Sequence, residues 1–398
     1  MAQLLALSDY WWGWGNLLFR WLHVVAAIAW IGSSFYFIAL DLHLRPPAEQ
    51  RDAERGVGGE VWEIHGGGFY RVEKFQVAPH ELPEPLYWFK WEAYTTWLSG
   101  FALFVVVYFS HPQTYLVDPS VADLSSWEAI AIATGGLAIA WLVYDLLCRL
   151  LESDWQLAIA VFVFVVVSAY SASQLFASRA AFLEVGAMLG TIMAANVFFV
   201  IIPAHWELVR AKQAGREPDP RWNRRGKQRS VHNNYLTLPV LFAMLSGHFP
   251  FVYGHEHAWL ILVCLMAIGA WVRHFFNLHH QGRDAWWILA TAAVAIAALA
   301  VWMRPHSTSA AAAGPPPPFS QVQSVIDQRC VPCHSLHPTM PGISAPPAGI
   351  VLDTRAKIEQ LAPLIKTVAV DNHLMPPSNA THMTQAERDL LARWLASR

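Results

Sequence analysis

Residues Cys330 to His334 form a C-x-x-C-H box near the end of the chain. Two thiols at this spacing can each form a thioether to a haem vinyl group, and the adjacent imidazole can bind the iron. The remaining cysteines, Cys148 and Cys264, lie far away in apolar segments, so no second pair completes a zinc site or a disulfide framework. The box therefore predicts a covalently bound haem c held by Cys330, Cys333 and His334.

The second axial ligand of this haem is predicted to be Met375, in the sequence Leu-Met-Pro-Pro. A thioether ligand raises the reduction potential and suits an electron acceptor, and the prolines favour an extended loop across the haem face. The alternative is that Met375 only packs against the porphyrin. The competing ligands are Met340, Met383, His373 and His382.

Residues 319–398 have the pattern of a small helical domain, like a class I cytochrome c. Ser320 to Gln323 is predicted to cap a helix that leads into the box, and Thr384 to Glu387 to cap the final helix. Apolar stripes on both helices would pack together beside the haem. The stripes contain Val322, Val325, Ile326, Leu390, Leu391, Trp394 and Leu395. Residues 304–318, rich in Pro and Ala, are predicted to be a stiff linker.

Residues 1–303 have the sequence pattern of a membrane protein. The whole chain of 398 residues is 55% hydrophobic and only 14% charged. Eight apolar blocks are long enough to cross a bilayer core, which takes about 20 helical residues. They are 15–40, 88–109, 126–148, 155–176, 181–204, 232–253, 257–277 and 285–303. The predicted fold is all-α: a polytopic bundle of about eight transmembrane helices, then a C-terminal class I-like cytochrome c domain.

The ends of this bundle are predicted from loop charge and from the first block. No Lys or Arg precedes Arg20, and the apolar run continues to Leu40, so the first block is expected to be a retained helix rather than a signal peptide. Lys and Arg accumulate at 45–74 and 210–229, which predicts that both loops face the cytoplasm. Both chain ends then lie in the periplasm, where bacteria attach haem c. This orientation explains the basic loops without nucleic-acid binding.

Ionisable residues inside apolar helices are functional candidates. Arg20 and His23 share a face of the first helix, either as a polar pair satisfied within the bundle or as part of an anion or haem b site. His248 lies at a similar depth, so His23 with His248 is the predicted ligand pair for a haem b.

Two further polar clusters flank the helices. Glu63 and His65 precede the run Gly66–Gly68, which is either a flexible turn or a close approach to a ligand, and Lys90 and Glu92 open the second block. The richest polar set could bind a metal, a haem or a planar polar substrate, or anchor helices at the interface. It contains His232, Asn233, Asn234, Tyr235, Arg273, His274, His279 and His280.

Four stretches of the chain resemble the bacterial cytochrome c-coupled membrane urate oxidases, also called urate hydroxylases. They are 21–32, 65–70, 88–93 and 230–240, and the resemblance extends over nearly the whole chain. It implies oxidation of urate to 5-hydroxyisourate, with electrons leaving through haem c to the respiratory chain. It also implies a location in the bacterial inner membrane and a soluble cytochrome c or terminal oxidase as electron acceptor.

The resemblance raises seven polar residues to predicted catalytic residues, because urate is a planar anion that needs positive charge, hydrogen bonds and aromatic surface. They are Glu63, His65, Lys90, Glu92, His232, Asn233 and Asn234. Urate gives two electrons while a haem accepts one, which is the physical argument for the additional haem b.

Two other interpretations remain open at the sequence level. A quinol-linked membrane oxidoreductase that reduces its own cytochrome domain would use intramembrane His and Arg equally well. A non-catalytic electron carrier would need only one anchoring helix, and eight polar-studded segments argue against it.

Overall fold

The computed structural model describes residues 2–304, 314–341, 343, 345–371 and 373–397, without the side chains of residues 2–9 and 378. Most of the predicted linker at 304–318, namely residues 305–313, lies outside this part of the chain.

The membrane region is built from helices joined mostly by short loops. They are α1 (Ala2–His43), α2 (Gln50–Glu54), α3 (Trp91–Phe104), α4 (Pro112–Tyr115), α5 (Ser126–Leu150), α6 (Asp154–Ser173), α7 (Ser178–Asn196), α8 (Ile202–Gln213), α9 (Pro220–Leu245), α10 (Pro250–Tyr253), α11 (Ala258–His280) and α12 (Trp287–Trp302). A π-helical turn at Val105–Phe109 extends α3, another at Val197–Ile201 joins α7 to α8, and a 3₁₀ turn at Ser246–His248 ends α9.

Six helices in the described residues are long and apolar enough to cross a membrane. They correspond to α1, α3 with its π turn, α5, α6, the continuous α7–α8 and α11. The other two predicted blocks are also helical, but α9 begins with a basic half and α12 has only 16 residues. Six is therefore the number of spans that length and composition support.

Helix α7 is the centre of the bundle. Within the most apolar window of α7–α8, 61% of the residues are buried, against 11% in α1. Its small and apolar side chains, such as Ala180, Leu189 and Ile192, pack against α5, α6 and α9. Large apolar side chains on α1, α6 and α12 are exposed, as expected for surfaces that contact lipid.

The all-α prediction needs one correction, because the first loop contains an antiparallel hairpin of β1 (Val57–His65) and β2 (Gly68–Phe75). Gly66 and Gly67 form its turn with φ of 58° and 83°. Two positive φ values are what a tight hairpin turn requires, and glycine adopts them without strain. The glycine run is therefore a structural turn at an exposed hairpin tip.

The hairpin is fixed to α2 by a set of ion pairs. Arg71 on β2 contacts Asp52 on α2 and Glu60 on β1. Both carboxylates are buried, and their hydrogen bonds to Arg71 hold their pKa values below the usual range.

The C-terminal region is a separate small helical core. It contains α13 (Phe319–Arg329), α14 (Arg355–Gln360), α15 (Ala362–Ile365) and α16 (Gln385–Ala396). The predicted capping box at the start of α16 is confirmed, since Thr384 and Glu387 bond each other's backbone N–H groups. The predicted cap at Ser320 is wrong, because α13 already begins at Phe319, directly after Pro318. The predicted stripes do pack together in one core.

The two regions are in direct contact. Leu374, beside the predicted haem ligand Met375, packs so closely on Gly254 that a Cβ at Gly254 would overlap the Leu374 side chain. A cleft of about 310 Å³ lies between loop 111–119 and the C-terminal region, with Met340 and His382 in its lining.

The opposite end of the bundle carries both basic loops. Asp41 at the end of α1 forms ion pairs with Lys74 on the hairpin and Lys227 on α9. His43 and His280 meet at the same end, with ring centroids 4.9 Å apart. The two loops predicted to share one side of the membrane therefore lie together.

Candidate functional site

The C-x-x-C-H box is folded into a single turn that continues α13. The backbone N–H groups of Cys333 and His334 donate to Cys330 O at 3.1 and 2.8 Å. This turn brings the backbone of Cys333 and His334 back to that of Cys330. Cys330 and Cys333 are free thiols, as attachment of haem requires.

The imidazole of His334 is oriented by the backbone. Its Nδ1 lies 3.2 Å from Ile350 O, an arrangement in which Nδ1–H donates and Nε2 carries the lone pair. Fixing the tautomer in this way is a usual feature of histidine ligands to metals. Burial lowers the pKa of His334, which favours the neutral imidazole, and raises that of Cys330 to about 12.

Met375 lies on a loop and is held by hydrogen bonds of its backbone N–H and its backbone carbonyl. Its N–H donates to Val368 O at 2.8 Å, and its carbonyl accepts from Arg388 Nη1 at 2.9 Å. The side chain packs against the same core as Cys330. These observations fit an axial ligand, and with the oriented His334 they make the donor set suitable for haem c.

The competing ligands occupy different positions. Met383 is buried in the domain core, and Met340 lines the cleft beside His111. His373 and His382 are exposed. The choice of Met375 stays a prediction.

The predicted haem site adjoins the membrane region. Helix α4 packs against Pro377–Asn379, and Leu374 contacts Gly254. The loop that carries Met375 therefore adjoins the loops that close this end of the bundle.

His23 and His248, the predicted haem b ligands, have different environments. His23 Nδ1 lies 2.9 Å from Thr96 O, and the imidazole rests on Gly100, where a Cβ would be 2.8 Å from His23 Cε1. His248 is exposed at the end of its 3₁₀ turn. No contact joins the two among the described residues, and the haem b stays a prediction.

Within the bundle, α9 contributes a buried polar network. His232 Nδ1 lies 2.7 Å from Tyr144 Oη, and Asn196 Nδ2 donates to Tyr144 Oη and to Asn233 Oδ1. Asn233 Nδ2 donates to Met193 O at 2.9 Å. Because both ends of the Asn233 amide are used, this side chain connects α7 to α9.

A second contact joins α9 to α11. Arg273 Nε donates to Asn234 Oδ1 at 2.9 Å, and the Arg273 guanidinium lies over the Phe35 ring at 4.0 Å from its centroid. Three buried atoms here have no hydrogen-bond partner in the described residues: Arg273 Nη2, Asn234 Nδ2 and Asn277 Oδ1.

The other predicted catalytic residues lie outside these networks. Glu63 accepts from Tyr36 Oη at 2.6 Å, and His65 is exposed at the hairpin tip. Lys90 lies over the Trp88 ring, 5.7 Å from its centroid, and Glu92 has a buried oxygen without a partner among the described residues. Within the described residues, no hydrogen bond or ion pair joins these four residues to α9.

Several polar residues of the bundle were not in the predicted catalytic set. They are Tyr144, Asp145, Asn196, Arg229, Arg273 and Asn277. The sequence signal was available for α11, since Arg273 and Asn277 are four residues apart in an apolar helix and so share one face.

The fold and these polar sites define a helical membrane-type protein with a polar bundle interior and a C-terminal domain that carries a C-x-x-C-H turn. The family model described as urate oxidase N-terminal matches residues 9–304, and the chain belongs to this family. Comparison with curated proteins and with solved structures gave no match.

Proposed function

We propose that this protein is a membrane-bound urate oxidase that forms 5-hydroxyisourate in its helical bundle and exports the electrons through a haem c. The proposal is carried by the box Cys330–His334, folded as one turn with an oriented imidazole, in a chain of the urate oxidase family. Membership supports urate as the substrate, and the box supports electron export.

The reaction adds one oxygen atom from water to urate and releases two electrons and two protons. A bound haem c supplies one-electron acceptance, so each turnover needs two successive transfers. Cys330 and Cys333 would attach the group, and His334 Nε2 and Met375 Sδ would bind its iron. Leu374 on Gly254 keeps this domain against the bundle, which shortens the path for electrons.

His232 and Asn233 are held in the polar network between α5, α7 and α9. Their proposed catalytic role rests on the family resemblance. Glu63, His65, Lys90 and Glu92 stay predictions from the family resemblance.

The proposed setting is the bacterial inner membrane, crossed eight times, with the C-terminal domain in the periplasm and a soluble cytochrome c or a terminal oxidase as acceptor. Two observations support it. Asp41 joins both basic loops at one end of the bundle, and the C-terminal domain packs on the other end.

Anaerobic addition of urate to the purified oxidised protein tests the proposal, with the haem absorbance as readout. Urate should be consumed as haem c is reduced. The paired substitution Cys330→Ala with Cys333→Ala should remove covalent haem, whereas Cys148→Ala with Cys264→Ala should retain it. If dithionite or a quinol reduces the haem and urate does not, the proposal is contradicted. Reduction by a quinol would favour the quinol-linked class.

A further inference from the structure

Two arginines are buried in the bundle, and they differ in their partners. Arg229 is 2% exposed and pairs with Asp145 at 2.7 Å. Arg273 is 4% exposed, and among the described residues it makes one hydrogen bond, to Asn234, and no ion pair. A buried charge without a counter-charge is destabilising, so the site around Arg273 favours an anion.

The unpaired atoms beside this charge form a matched set. Arg273 Nη2 and Asn234 Nδ2 are donors, and Asn277 Oδ1 is an acceptor. Asn234 is 0% exposed and Asn277 is 5% exposed, so water is kept from both. An unmade hydrogen bond of a buried polar atom is unfavourable, and three such atoms together indicate a ligand that completes them.

The helices bring these groups to one place. Asn277 follows Arg273 by one turn on the same face of α11, and the hydrogen bond from Arg273 Nε fixes Asn234 on α9 beside them. Phe35 on α1 covers one face of the guanidinium. The edge of the guanidinium is left for a planar partner, which Arg binds through parallel N–H groups.

We propose that Arg273, Asn234 and Asn277 form the binding site for an anionic, planar heterocycle with alternating C=O and N–H groups along one edge. Arg273 and Asn234 donate to its oxygens, and Asn277 accepts from its N–H. Urate has such an edge, so this site assignment rests on the proposed function and extends it to named residues.

The site lies toward the end of the bundle that carries the loops 45–74 and 210–229. Arg273 precedes His280 by seven residues, about 10 Å along the helix, and His280 contacts His43 there. Lys74 and Lys227 flank Asp41 at this end.

Equilibrium binding of radiolabelled urate to the full-length, dithionite-reduced protein tests the site without turnover. Arg273→Gln should weaken binding about 10- to 100-fold, the range of a charge-assisted hydrogen bond. Arg273→Lys should recover part of it. Arg210→Gln is the matched control, because it removes an exposed arginine from the basic loop and should leave binding unchanged.

A second variant keeps the test decisive if Arg273→Gln fails to fold. Asn277→Leu removes a buried acceptor that has no partner in the described residues, so the melting temperature should stay or rise while urate binding weakens about tenfold. If Asn277 had only a structural role, Asn277→Leu would lower the melting temperature and leave urate binding unchanged.

The two proposals fail in different ways. Wild-type protein whose haem c is reduced by urate, with binding unaltered by Arg273→Gln and Asn277→Leu, overturns the site and leaves the function. Wild-type protein that neither binds urate nor is reduced by it overturns both.

Discussion

Arg229 Nη2 donates to Asp145 Oδ1 at 2.7 Å between α9 and α5, and the side chains are 2% and 7% exposed. The other oxygen of this carboxylate accepts from Arg149 Nε, also at 2.7 Å, but the Arg149 side chain is 61% exposed. One acidic residue thus pairs with a buried and an exposed arginine at equal distance.

This difference in burial predicts unequal losses of stability. Arg229→Gln should lower the free energy of unfolding by about 3–5 kcal/mol, because it leaves Asp145 buried with its charge poorly compensated. Arg149→Gln should cost about 1 kcal/mol or less. Thermal unfolding in detergent measures both, and equal losses would contradict the role of burial.

The contact of His23 with α3 depends on the absence of a side chain at Gly100. A Cβ there would lie 2.8 Å from His23 Cε1, so Gly100→Ala should displace the imidazole and cost about 1–3 kcal/mol. Gly135 on α5 has nothing within 4 Å of its Cβ position, and Gly135→Ala should stabilise its helix by up to about 1 kcal/mol. If Gly100→Ala and Gly135→Ala lowered the melting temperature equally, the contact between His23 and Gly100 would not be the cause.

The packing of Leu374 on Gly254 leads to a similar prediction for the contact between the membrane region and the C-terminal region. Gly254→Ala should push Leu374 away and separate the C-terminal domain from the bundle, since the added Cβ would overlap its Cδ2. Hydrogen–deuterium exchange in loop 111–119 should then increase. Leu374→Ala added to Gly254→Ala should restore slow exchange. An unchanged exchange rate in the single variant would refute the close contact.

The hairpin should open in acid, because Arg71 holds the pKa values of Asp52 and Glu60 below their usual range. A lowered folded-state pKa gives stability that is complete above the unfolded value, about 4, and is lost as pH falls through the folded value. Arg71→Gln should move the onset of opening to higher pH. Hydrogen exchange of β1 and β2 against pH measures it, with Arg216→Gln, which pairs with Glu207 away from the hairpin, as the exposed control.

Local sequence signals predicted the segments whose structure is decided locally. The capping box at Thr384 needs only four consecutive residues, and the stripe through Leu391 and Trp394 needs only one helix period. The apolar blocks predicted the long helices for the same reason.

The hairpin was missed because its stability comes from distant partners. Residues 57–75 are rich in glycine and charge, which favours a loop by composition. Arg71 pairs with Asp52, nineteen positions earlier, and this contact was not visible in local patterns.

The candidate substrate site was predicted only in part, for a similar reason. Asn234 and Arg273 were both visible as polar residues near apolar helices, but they are thirty-nine positions apart. Only the crossing of α9 and α11 shows that they meet. The resemblance favoured Glu63 and His65 equally, and the structure has them on the hairpin.

The two ion pairs of Asp41 constrain how often the chain crosses the bundle. Lys74 and Lys227 meet the same carboxylate, so the chain between them leaves this end and returns to it. The number of passes made by α3, α5, α6 and α7–α8 must then be even. The number of passes is even whichever face of the membrane Asp41 occupies. Tags placed in the loops 45–74 and 210–229 should therefore report the same side of the membrane.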